Sequence, residues 1–262
     1  MFDLSAVESS LADTIFAGKV HFAAVTGSTN SDALAAAGNG APHGSVYLAD
    51  EQTAGRGRGN HAWHSVSGQG LYVSVLLRPA LPREHLSLLP LAAGLAAAAA
   101  IHTVTGIPID LRWPNDLLIG PLKTGGILVE SRSSSSSLTQ AVIVGIGINV
   151  HQRQFDPGLS TPATSLDVAA GRIVSRRQLL VALLKSLQRE TSGMADSAAA
   201  QAIPARIAQV SSWVSGRRVQ VHGPQACTGI TAGLDAHGFL LVRTSGGLVQ
   251  VQTGGIRAAE NG

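Results

Sequence analysis

Residues 54–60, Ala54-Gly55-Arg56-Gly57-Arg58-Gly59-Asn60, alternate glycines with two arginines. Glycine lets backbone N–H groups turn inward on an anion, and a guanidinium fork matches carboxylate or phosphate oxygens in pairs. The run reads as an anion-holding loop, or as a flexible RG-rich segment. It is no Walker A loop, since no Gly-Lys-Ser/Thr follows, and it lacks the strand-to-helix placement of a dinucleotide fingerprint. A second cluster, Leu111-Arg112-Trp113-Pro114-Asn115-Asp116, sets an aromatic ring, an amide and a carboxylate on a turn after a strand. An aspartate there can hold Mg²⁺ against phosphate oxygens, because Mg²⁺ takes one or two carboxylates plus substrate phosphates; Pro-Asn-Asp is equally ordinary turn chemistry. Seven residues on, Lys123-Thr124-Gly125-Gly126 places one of three lysines beside paired glycines, a point charge next to bare backbone or a solvated turn lysine. In a third cluster, residues 144–150, two glycines interrupt an apolar strand before Asn149. Glycine weakens a strand, so a ligand pressed on the backbone or a bulge is expected there. The Asn149 amide could read a base edge or be satisfied by neighbouring backbone.

These clusters need elements to hold them. An amphipathic helix is expected over residues 5–16, a strand over 19–25, and a turn at 26–30 opening an Ala-rich helix that ends near Gly38. Ser, Thr and Asn accept from free amides at a helix start, and Gly suits its end. Strands are expected at 46–49 and 71–77, joined by a glycine-rich loop too long to be idle. Further strands end at Arg112 and span 127–130 and 141–150. Arg132 and the five serines 133–137 read as a hairpin connection without evident chemistry. Leucines at 179, 180, 183, 184 and 187 mark a helix over 174–190, and another is expected at 198–210. From Arg217 onward, short strands with turns suggest a small antiparallel barrel. Residues 86–109 carry no formal charge, but their alanine content and Pro90, Gly94, Gly106 and Pro108 favour a buried core helix over a membrane span.

Composition sets outer bounds. With 262 residues, 45% hydrophobic and 13% charged, the chain can bury a substantial core and divide into two domains. The net charge is +3, yet 16 arginines stand against three lysines, a bias suited to phosphorylated ligands. No basic run is present, and aromatics at 4% leave few stacking platforms, which argues against a nucleic-acid surface. Cys227 is the only cysteine, so no intramolecular disulfide forms and a reducing compartment fits. The acidic N-terminus lacks the character of a signal peptide.

Taken together, GSTN at 27–30, EQTAGRGR at 51–58, Trp63, RWPND at 112–116, KTGGILVE at 123–130 and GIGIN at 145–149 resemble, in order and spacing, the motif set of biotin protein ligases. The resemblance implies an α+β fold: a mixed sheet packed with helices, the biotin/lipoate ligase catalytic fold, over residues 1–212, plus a small C-terminal SH3-like β-barrel over 213–262. It implies ATP-dependent activation of biotin to biotinyl-5′-AMP and transfer to a lysine of a biotin carboxyl carrier protein, with ATP, biotin and Mg²⁺ taking part. By the same resemblance, Arg58, Lys123 and Asp116 are catalytic, with Asp116 organising Mg²⁺. Ser28, Thr29, Asn30, Gln52, Gly55, Arg56, Gly57, Lys123 and Gly126 bind biotin. Arg56, Gly57, Arg58, Trp63, Asn115 and Asn149 bind the nucleotide, with Trp63 packed on adenine.

Twenty-six residues precede Gly27, which gives the expectation of a ligase without the DNA-binding domain of bifunctional relatives. A cytoplasmic monomer or weak homodimer, touching neither DNA nor membrane, is implied. The chain departs from the pattern at Arg112, where lysine is common, at Asn60, where a glycine is frequent, and at His61 and Ala62, where basic residues are usual. Three alternatives stand beside this reading: a lipoate protein ligase, a nucleic-acid-binding module built on the RG loop, and a non-catalytic biotin sensor.

Overall fold

The computed structural model describes residues 3–78, 83–132 and 141–259. In chain order the first part comprises α1 (Leu4–Ser10), β1 (Val20–Thr26), α2 (Thr29–Gly38), β2 (Ser45–Gln52), β3 (Gly70–Leu77), α3 (Leu89–Thr105), β4 (Asp110–Arg112), β5 (Asp116–Ile119), β6 (Leu122–Arg132) and β7 (Ala141–Asn149). Helices α4 (Leu166–Ala170), α5 (Arg176–Ser192), α6 (Ser197–Gln201) and α7 (Ile203–Val210) follow. The chain closes with β8 (Ser215–His222), β9 (Cys227–Leu234), β10 (Leu240–Thr244), β11 (Gly247–Val251) and β12 (Gly255–Ala258).

The first seven strands form one mixed sheet in the order β1-β2-β3-β7-β6-β5-β4, with β1–β2 parallel and the other pairs antiparallel. Side chains alternate across a strand, so each strand serves two faces. On one face Val73, Val75, Val142, Val144, Ile146 and Ile127 pack against the buried residues of α3 and α5. On the other, Leu76, Ala141 and Ile143 meet Ala33 and Ala37 of α2. Both faces are covered there, and β3 and β7 accordingly read as nearly unbroken apolar runs.

The uncharged segment forms α3. Pro90 sits in its first turn and Gly106 closes it with left-handed backbone at φ +78°. The stretch 85–105 is long and apolar enough to cross a membrane, yet most of it is buried inside the fold. It is the core helix its composition suggested.

Several boundaries differ from the sequence reading. The first helix stops at Ser10, and residues 11–18 continue as turns that still bury Leu11 and Phe16. The turn expected after Arg112 occupies residues 113–115, while Asp116, expected within it, opens β5, and β6 begins at Leu122, so the paired glycines lie inside the sheet. The helix expected over 198–210 breaks into α6 and α7, because Pro204 suits a first turn but not a helix interior. The short helix α4 was not foreseen. The serine run lies outside the described residues.

The last five strands form an antiparallel sheet in the order β11-β10-β9-β8-β12. Its outer strands, β11 and β12, do not pair among the described residues, so the expected barrel stays open. Trp113 Nε1 donates to the Gly238 carbonyl (3.0 Å) and Ser87 Oγ to the His237 carbonyl (2.8 Å), tying this sheet to the first.

Candidate functional site

On the α2 side of the main sheet, cross-strand register lines up Arg112, Asp116, Gly126, Gly147 and Tyr72 in one row. Leu128, Gly145 and Ser74 form the next. Directly opposed residues share a face, so two facing glycines sit between a carboxylate and a tyrosine. A Cβ at Gly147 would come within 2.6 Å of the Trp63 indole, and one at Gly145 would overlap the Asn30 side-chain oxygen. The glycines that weaken β7 therefore clear room for groups arriving from α2 and from the glycine–arginine loop.

The start of α2 forms the polar end of this groove. Ser28, Thr29 and Asn30 are buried. Gln52 Oε1 accepts from the Thr29 backbone amide (2.9 Å) and hydroxyl (3.0 Å), while Gln52 Nε2 donates to Ser65 Oγ (2.7 Å). Ser74 Oγ lies 2.7 Å from Thr29 Oγ1 and 2.6 Å from Asn30 Oδ1. Asn30 Nδ2 donates to Glu130 Oε2 (2.7 Å), which also receives Arg56 Nη2 at 2.8 Å. Ser74 and Glu130 escaped the sequence reading. The signal for both was alternation: a serine in an otherwise apolar strand, and a carboxylate four residues beyond Gly126 on the same face.

At the far end of the row three charges converge. Asp116 Oδ1 lies 2.5 Å from Lys123 Nζ, and Oδ2 receives Arg112 Nη2 at 2.5 Å and Nε at 3.1 Å. Burial opposes ionisation of Asp116, but the Lys123 ammonium and Arg112 guanidinium outweigh it and hold the carboxyl below the usual carboxylate range. Arg112 also donates to Thr161 Oγ1 at 2.9 Å, so arginine here uses its fork in a way that lysine would not reproduce. Its guanidinium carbon lies 5.3 Å from the ring centroid of Trp213, which faces Arg217 at 3.7 Å.

The glycine–arginine loop folds back on itself. Arg56 pairs with Ala62 across a bridge, Gly57 N donates to the His61 carbonyl (2.7 Å), and Trp63 N donates to the Gly55 carbonyl (2.9 Å). The left-handed residue in this turn is Gly59, at φ +61°. Trp63 lands over Gly126 and Gly147 with Lys123 Nζ 5.6 Å from its ring centroid, inside cation–π range. Its Nε1 is buried and makes no hydrogen bond among the described residues. Arg58 points the other way: Nη1 donates to the Gly254 carbonyl at 2.7 Å and Nη2 reaches Thr253 Oγ1 at 3.4 Å, both in the C-terminal sheet region. Burial pulls this guanidinium below its ordinary value, against the attraction of Asp116.

Beside these groups a cavity of about 180 Å³ opens between the two sheets, lined by Arg58, Asn115, Trp113, Ile127, Val129, Phe239 and Gln252 among others. Asn115 Nδ2 donates to the Ile127 carbonyl (2.8 Å), and Ile127 N returns a bond to the Asn115 carbonyl (3.0 Å). Asn149 is buried and donates to the Thr164 carbonyl at 3.1 Å. Trp63 is not among the cavity lining; it belongs to the glycine groove. Among the described residues no group of three or more His, Cys, Asp or Glu side chains could hold a metal ion, leaving Asp116 as a single carboxylate.

The sequence profile of the Biotin/lipoate A/B protein ligase family matches residues 22–149, and that of the Biotin protein ligase C terminal domain matches residues 214–256. The chain is 34% identical over 245 residues to a biotin--[acetyl-CoA-carboxylase] ligase of Mycobacterium tuberculosis, a match covering 89% of this chain and 86% of that one. Over 167 residues it is 41% identical to the bifunctional ligase/repressor BirA of Bacillus subtilis, spanning 63% of this chain and about half (51%) of that relative's length. The structure of a biotin protein ligase from Aquifex aeolicus in complex with biotin and ATP superposes with a TM-score of 0.79 at 30% identity, covering 92% of this chain and 100% of that one. With two family profiles, a long relative and the fold in agreement, the chain belongs to the biotin/lipoate A/B protein ligase family.

Proposed function

We propose that this chain joins biotin to ATP, forming biotinyl-5′-AMP, and passes the biotinyl group to a lysine of a biotin carboxyl carrier protein. The observation that carries the reading is a groove whose floor is bare glycine and whose polar end is the start of α2, with Lys123 and Arg56 on its rim and Arg58 lining the neighbouring cavity. Two anions, a carboxylate and a nucleoside triphosphate, repel each other, so cationic clamping and alignment supply most of the catalysis. In the first step a biotin carboxylate oxygen bonds to the α-phosphorus and the bond to the β-phosphate oxygen breaks, releasing pyrophosphate. In the second, a neutral lysine amine attacks the acyl carbon, AMP departs with the bonding pair, and the amine loses a proton.

The ureido ring belongs at Ser28, Thr29, Asn30 and Gln52, where donors and acceptors are already ordered. Gly55, Arg56 and Gly57 wrap the carboxylate from the loop. Lys123 neutralises charge where the carboxylate meets the α-phosphate. The cavity beside Arg58 and Asn115 suits the nucleotide base, with Asn149 near the strand end. Trp63, seated over Gly126 and Gly147, covers the glycine floor in this arrangement; packing on adenine requires the loop to shift. Asp116 fits the Mg²⁺ mode that uses one carboxylate and leaves the other positions to phosphates and water, and the ion would neutralise phosphate charge. We place the reaction in the cytoplasm and the catalytic unit at residues 1–212, with 213–262 contributing the Thr253–Gly254 turn.

Incubation with ATP, Mg²⁺, biotin and an unmodified carrier domain should raise the carrier mass by one biotinyl group. No gain beside a competent control ligase would defeat the proposal. A gain with lipoate instead would favour the lipoyl branch of the family.

A further inference from the structure

Glu130 has no role in the clamp, yet one of its oxygens touches both halves of the groove. Oε2 accepts from Asn30 Nδ2 at 2.7 Å and from Arg56 Nη2 at 2.8 Å, joining the start of α2 to the glycine–arginine loop across β6. Asn30 has no freedom to ignore this. Its Oδ1 lies against Ser74 Oγ at 2.6 Å and against the space that a Cβ at Gly145 would fill, so only Nδ2 can face Glu130. The carboxylate thereby selects which end of the amide is offered to the groove. Arg56 is the more exposed partner, with 43% of its side chain accessible against 24% for Glu130, and its other loop ties are backbone pairings to Ala62.

We propose that Glu130 is a positioning residue: it fixes the orientation of the Asn30 amide and tethers Arg56, and through it the loop, over the glycine floor. The proposal rests on the biotin-adenylating reading for its kinetic consequence but not for its structural one. A hydrogen bond with one ionised partner is roughly twice as strong as a neutral one, and such bonds are worth about 1.5–3 kcal/mol, equivalent to roughly 10- to 100-fold in an equilibrium constant. Glu130→Gln keeps the shape and removes the charge.

The test measures the full-length wild type, Glu130→Gln and Glu130→Asp in two assays: steady-state adenylate formation and limited tryptic cleavage after Arg56. The expected result for Glu130→Gln is a KM for biotin raised about 10-fold or more with kcat within about threefold, together with faster cleavage at Arg56. Glu130→Asp, which retains the charge, should recover part of both. Unchanged KM and unchanged cleavage would overturn the proposal. So would a lowered Tm with both readouts intact, which marks a purely structural contact. If the wild type forms no biotinyl-adenylate, the functional reading fails separately, and the cleavage rates alone still decide whether Glu130 tethers the loop.

Discussion

Replacing Lys123 with methionine should lower the rate of biotinyl-adenylate formation by about 100- to 1,000-fold, the range seen when one preorganised electrostatic donor is removed. Methionine keeps an apolar stem against Trp63 and Gly126 while deleting the charge. Two losses combine. The ammonium no longer meets the joined anions, and Asp116 loses the partner at its Oδ1, leaving only Arg112 at Oδ2. The sign of the second effect follows from Asp116 being held ionised below the ordinary carboxylate range. Its contribution to stability is present above the unfolded pKa of about 4 and fades as pH falls through the depressed folded value. Without Lys123 the folded value rises toward the unfolded one, so the contribution at neutral pH is smaller and its loss on acidification is complete at a higher pH. Single-turnover adenylate formation and urea midpoints between neutral and acidic pH check both parts. A full adenylation rate in the variant would remove Lys123 from the clamp.

The second large effect is expected at Gly145. Alanine there would place a methyl group where the Asn30 carbonyl oxygen sits, 2.8 Å from its Cγ. Asn30 cannot swing away cheaply, because Ser74 and Glu130 hold both ends of its amide. The biotin KM should rise about 10-fold or more, the consequence of losing a fixed donor–acceptor set worth about 1.5 kcal/mol or more, while the KM for ATP stays within about threefold. Overpacking of this kind costs about 1–3 kcal/mol in stability, so a Tm lower by a few degrees should accompany it. An unaltered biotin KM would show that the start of α2 does not read biotin.

Much of this was legible because its signals were local. Hydrophobic spacing located α5, unbroken apolar runs located β3 and β7, and paired glycines pointed to close approach at Gly126, Gly145 and Gly147. Each chemical cluster was ambiguous alone, and joint order with the family motifs made the site readable. What stayed hidden depended on register. Asp116 lies opposite Gly126, and Gly126 opposite Gly147, only because β5 exists and β6 starts at Leu122. Placing Asp116 in the turn after Arg112, rather than at the start of β5, conceals that row. Glu130 ends the KTGGILVE run with no local sign of its role and Ser74 lies in no motif, since the meaning of both comes from Asn30, 100 and 44 residues away in sequence. The Arg58 contact with Gly254 spans 196 residues, between the loop and the C-terminal sheet region, beyond any local pattern.

The departures from the family pattern also find physical reasons. Arg112 bonds Asp116 and Thr161 together, work suited to a fork. Ala62 serves the loop through its backbone pairing with Arg56, for which its side chain is immaterial. His61 likewise contributes its carbonyl, which receives Gly57 N.

Adenylate formation is reversible, so exchange of labelled pyrophosphate into ATP reads activation of biotin without the carrier. The exchange should require biotin, fail with lipoate, and collapse in Lys123→Met. Exchange that proceeds without biotin, or with lipoate in its place, would contradict activation of biotin by the clamp.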